Sequence, residues 1–72
     1  MATKWKLTPK EEEVLSLMAR GYSTRGVANK LNISGSTAKA HLVNIYGKLG
    51  LSEANENIHL YTTAALMYIY RK

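Results

Sequence analysis

LNISGSTAKAHLVNIYGKLG, residues 31–50, is the stretch on which the fold turns. Its opening reads as a break followed by a fresh start. Asn32 accepts the left-handed backbone of a tight turn, Ile33 offers an apolar anchor beneath it, and Ser34 is a helix N-cap. The helix that follows is expected over about 34–49. Within it Ala38, Leu42, Ile45 and Leu49 stand four, three and four residues apart and make one continuous inward stripe. The opposite face carries Ser36, Lys39, Ala40, Val43, Asn44 and Gly47, and no acid is among them. Small, neutral and basic side chains let such a face approach a nucleic-acid duplex without steric or charge conflict. Lys39 and Asn44 have donors for base edges or phosphates, and Ala40 and Val43 suit thymine methyl groups. The plain alternative is an ordinary solvated face, against which the exposed Val43 speaks.

Upstream, Ser23 caps a short helix, 23–31, whose Val27, Ala28 and Leu31 face inward. Gly26 stands where a glutamate would complete a capping box and costs about 1 kcal/mol relative to alanine. Before it, Thr8, Pro9 and Glu11 mark the start of a helix over 9–20. Thr8 is the N-cap, Pro9 has no amide hydrogen to leave unsatisfied, and Glu11 can bond back to the Thr8 amide. The Glu11-Glu12-Glu13 run meets the positive end of that helix dipole, which explains it without a metal or catalytic role. Val14, Leu15, Leu17 and Met18 are the buried stripe and Gly21 the stop.

Downstream, Ser52 is the expected N-cap of a last helix over 53–70. Its apolar residues divide into two stripes: Ile58, Ala65 and Ile69 flanked by Tyr61 and Tyr68, and Leu60, Ala64 and Met67. A small domain has one core to cover, so the second stripe needs a partner, most simply a second copy of the chain. A different protein or a membrane surface are the alternatives. The resulting class is all-α, one domain over 1–72, since no segment alternates as a half-buried strand does.

Composition sets the remaining bounds. Seventy-two residues lie near the lower limit for an unaided core, and there is no cysteine to staple it. Ten Lys and Arg against five Glu give +5, and between Val14 and Ser52 there is no acid at all, only Arg20, Arg25, Lys30, Lys39 and Lys48. That section suits a polyanion, although charge alone fits a solvated basic surface equally well. His41 and His59 fall on different helices with no cysteine or aspartate in the chain, so no enzyme, metal site or cofactor is expected. Tyr61, Tyr68 and Tyr70 read as interface and core, and Trp5 as a lid over the first helix. The longest apolar run, residues 64–70, is too short to cross a bilayer, and residues 1–6 do not form a signal peptide. A cytoplasmic protein of a prokaryote or its phage is the expectation.

Leu7-Thr8-Pro9-Lys10-Glu11, Glu13-Val14-Leu15, Gly21, Val27-Ala28, Leu31, Ile33-Ser34, Thr37, Lys39, His41, Ile45 and Lys48-Leu49-Gly50 occur in an order and spacing that resembles the LuxR/GerE family of helix-turn-helix regulators. The resemblance runs from Leu7 to Leu51 without gaps. It implies a four-helix domain whose third helix enters the DNA major groove and whose C-terminal helix dimerises. By position it makes Lys39, Ala40 and Val43, beside Ser36, groove-facing. Thr37, His41, Asn44 and Lys48 become candidates for backbone contact or for bracing the helix, and Thr24 and Arg25 for phosphate contact. Leu60, Ala64, Met67, Ile58, Tyr61 and Tyr68 become the candidate dimer interface. Gly26, Ala38, Val43 and the segment around Ala54 depart from the family pattern. With six residues before Leu7, the chain resembles members that lack an input domain. The implied function is sequence-specific double-stranded DNA binding by a homodimer that regulates transcription. A second implied function is capture of a full-length regulator of the same family in an inactive mixed dimer. RNA polymerase is a further possible partner.

Overall fold

Two reciprocal hydrogen bonds close over the first turn of helix α1, Pro9–Ala19, in the computed structural model, which describes residues 5–51 and 59–70. The Glu11 amide donates to Thr8 Oγ1 at 3.1 Å, and the Thr8 amide donates to Glu11 Oε1 at 2.9 Å. The helix ends at Arg20, and Gly21, at φ 99°, turns the chain away. The positive φ is why glycine stands there.

Helix α2, Thr24–Leu31, starts from Ser23, whose Oγ accepts the Gly26 amide at 3.1 Å. A methyl group added at Gly26 would lie 3.3 Å from Tyr22 Cδ2 and 3.4 Å from Ser23 Oγ. The glycine therefore makes room for the Tyr22 ring to lie against the start of α2. Asn32 closes α2 in the left-handed conformation, φ 58° and ψ 46°, and the Ile33 amide returns to the Ala28 carbonyl at 3.0 Å. Ser34 Oγ then accepts the Thr37 amide at 3.0 Å and starts helix α3, Gly35–Lys48. The expected breaks and caps of these three helices are all present, each within a residue of its expected place.

Val14, Leu15, Leu17 and Met18 of α1, Val27 of α2 and Leu42, Ile45 and Leu49 at the end of α3 form one cluster, joined by Ala64 from helix α4, Leu60–Ile69. Leu15, Ile45, Val14 and Val27 are the largest fully enclosed side chains. Burying each stabilises the fold by about 1.5–3 kcal/mol. Trp5, Leu7, Tyr22 and Leu31 pack on the rim. Helix α4 leans chiefly on α1, while α3 packs on α2 and α1. There is no strand among the described residues.

The last helix departs from the expected pattern. It starts at Leu60, with His59 as its N-cap: Nδ1 accepts the Thr62 amide at 3.4 Å and lies 2.8 Å from the Thr62 hydroxyl. Ser52 and Ile58, assigned from sequence to a cap and a stripe, lie outside the described residues. The division into two opposed stripes does not hold. Ala64, named among the candidate interface residues, is completely enclosed by the chain's own core, and residues of both stripes, Tyr61, Ala65, Met67 and Tyr68, pack around it. Leu66 and Ile69 are left outward at 47% and 53% exposure. The sequence LYTTAALMYI is apolar around most of its circumference, so periodicity cannot choose a face. Packing does so by bringing a small side chain to the closest approach.

Candidate nucleic-acid interface

Helices α2 and α3 are joined by the three residues Asn32, Ile33 and Ser34, and this helix-turn-helix unit sets the orientation of α3. Ala38, Leu42 and Ile45 are buried and fix the rotation of α3 about its axis. Ser36, Thr37, Lys39, Ala40, Val43, Asn44 and Gly47 consequently face outward, and His41 is half-buried. Val43 is 52% exposed, unusual for a residue of its kind. A methyl group added at Gly47 would meet nothing within 4 Å, so the face is open there as well. Arg25 is exposed at the start of α2, and Thr24 beside it is half-buried.

Two of the sequence-assigned residues have work inside the fold. Besides its amide bond to Ser34, Thr37 Oγ1 accepts the Ser34 hydroxyl at 2.9 Å, which holds the first turn of α3. Lys48, the last residue of α3, donates to Glu11 Oε1 at 2.7 Å and to the Lys6 carbonyl at 3.0 Å. The Glu11 side chain is only 6% exposed. Burial alone would raise the Glu11 carboxyl, but the Lys48 hydrogen bond, the Thr8 bonds and the Lys48 charge outweigh it and hold the group below its ordinary value of 4.5. Lys48 thus ties the end of α3 to the capped start of α1 and to the segment before it. The ion pair links positions 37 residues apart, and sequence reasoning missed it because the capping box already accounted for Glu11.

On α4, Leu60, Tyr61, Met67 and Tyr68 are half-buried and Ala64 is enclosed, so Ala64 has no surface to offer a second copy. The Tyr61 hydroxyl donates to the Tyr22 carbonyl and pins α4 to the loop between α1 and α2. Burial pushes the Tyr61 phenol up from its ordinary value. The outward apolar residues of this end are Leu66, Ile69 and Tyr70. Among the described residues no three His, Asp or Glu side chains stand together as a metal site, and no helix is long and apolar enough to cross a membrane.

Residues 6–61, which include all of α1, α2 and α3, match GerE, the luxR family of bacterial regulatory proteins. The chain belongs to the LuxR family. Its relatives include the HTH-type transcriptional regulators MalT of Yersinia pestis (strain Pestoides F) and of Yersinia pseudotuberculosis serotype O:1b (strain IP 31758). Each is 40% identical over 52 residues, which is 72% of this chain and 6% of the relative. MalT of Vibrio campbellii (strain ATCC BAA-1116) is 38% identical over the same length. The chain thus spans 6% of the length of these curated relatives.

Proposed function

We propose that this LuxR-family domain binds double-stranded DNA through the outward face of α3, as a homodimer, and so regulates transcription. The observation that carries the reading is that face itself: exposed along its length, free of acids, and backed by an enclosed stripe that fixes its orientation. The MalT relatives are named as transcriptional regulators, which supports it.

Lys39 is the main hydrogen-bond donor to base edges, Asn44 is a second donor at the other edge of the face, and Ala40 and Val43 between them meet thymine methyl groups. Arg25 and Thr24 take phosphates and carry affinity rather than sequence choice. The second copy docks on Leu66, Ile69 and Tyr70 of α4. Two α3 helices then enter successive major grooves about 34 Å apart over an inverted repeat.

The deciding experiment selects preferred sites from random duplexes and titrates the best one with salt. Lys39→Ala should lower affinity for the selected site and relax its sequence preference, at a cost of about 1–3 kcal/mol for a good bidentate contact. A variant that binds like the parent removes Lys39 as a reader. Sedimentation of Ile69→Glu beside the parent tests the dimer. A parent already monomeric at the concentrations that bind DNA would refute it.

A further inference from the structure

Lys48 is basic, sits on α3 and is 36% exposed, which invites its assignment as a phosphate contact. Two observations point elsewhere. Its Nζ is held by Glu11 Oε1 at 2.7 Å and by the Lys6 carbonyl at 3.0 Å, so two of the three ammonium donors are committed. The Glu11 carboxylate cancels its charge at contact distance, and a phosphate brought to Lys48 would meet that carboxylate as well.

We infer that Lys48 and Glu11 are a positioning pair, through which the capped start of α1 holds the end of α3, and that Lys48 influences DNA binding by where it sets α3 and not by touching DNA. The inference rests on the proposed DNA-binding face of α3. The start of α3 is already fixed by Ser34 and Thr37, and its middle by Ala38, Leu42 and Ile45. At the far end Leu49 is buried in the core, and Lys48 beside it adds a polar tether to an element with a rigid cap of its own. Glu11 Oε1 accepts from the Thr8 amide and from Lys48 together, so the oxygen that closes the α1 box also receives α3. A shift of the last turn of α3 would carry Val43, Asn44 and Gly47 with it.

The test measures affinity for a selected duplex across a salt series with the parent, Lys48→Met, Glu11→Gln and the double variant, each checked for folding by circular dichroism. A positioning pair predicts that both single variants bind several-fold more weakly at every salt concentration, with slopes parallel to the parent. The double variant should be no worse than the weaker single. A phosphate contact predicts instead that Lys48→Met loses about 0.9 from the slope of log affinity against log salt. It also predicts that Glu11→Gln, which removes a negative charge and keeps the Thr8 bond, binds as well as the parent or better. Either of those results overturns the inference. If Lys48→Met does not fold, Glu11→Gln is read alone, and the sign of its effect decides.

Hydrogen exchange on the free protein separates this failure from failure of the DNA-binding reading. Faster exchange of the Leu49 amide, which donates to the Ile45 carbonyl at 2.9 Å, in both single variants reports the tether without any DNA. A parent that shifts no duplex at low salt refutes the DNA-binding reading, and Lys48's role with it. Unchanged exchange in both variants refutes the tether itself.

Discussion

Glu11 Oε1 receives the Thr8 amide at 2.9 Å and the Lys48 ammonium at 2.7 Å, in a residue with 5% of its surface exposed. Those partners need the carboxylate, so the folded state binds a proton there less readily than the unfolded chain does. The resulting stability is complete above the ordinary value of 4.5 and disappears as pH falls through the lower folded value. Melting curves between neutral pH and pH 3 should therefore fall less steeply below about 4.5 for Glu11→Gln than for the parent. Parallel falls would mean that Glu11 gains nothing from its partners. Tyr61 is a second residue with a long reach. Its hydroxyl donates to the Tyr22 carbonyl, so Tyr61→Phe should cost about 1–2 kcal/mol in urea unfolding, because it leaves that carbonyl without its donor. Neither tie was legible in the sequence. Each joins residues 37 or 39 positions apart, and periodicity reports which side a residue faces, not which atom it meets.

Helices α1, α2 and α3 were legible because their signals are local. Thr8 with Glu11, Ser23, Asn32 and Ser34 all act within four residues of themselves, and their hydrogen bonds are those that spacing alone implies. The inward stripe of α3 was equally plain, since Ala38, Leu42 and Ile45 interrupt a polar sequence. Helix α4 offered no such contrast, and which of its faces met the core had to await packing. A further consequence at this scale concerns Gly47. It lies within α3, with a negative φ, and nothing stands within 4 Å of an added methyl group. Gly47→Ala should then stabilise the protein by up to about 1 kcal/mol through helix propensity, read as a higher melting temperature. A lower one would reveal a crowding that the open face of α3 gives no reason to expect.

Among the described residues one cluster joins four short helices, and each helix contributes to it. A domain of this size has about 4–11 kcal/mol of total stability. Ile45→Ala, which empties a fully enclosed site between α3 and the rest, should remove about 2–5 kcal/mol of it. Urea unfolding should show the whole transition move to lower denaturant with α4 lost at the same point as α1. A transition that split in two would mean that α4 holds independently of the core. The left-handed Asn32 has a different kind of reach. Mirror-type backbone angles are tolerated by glycine and asparagine and resisted by branched or bulky side chains, at about 1–2 kcal/mol. In the proposed DNA-binding role, drift in the outer residues of α3 changes what the domain reads, whereas most replacements at position 32 cost stability: the freedom to alter the reading face rests on a turn with few substitutes.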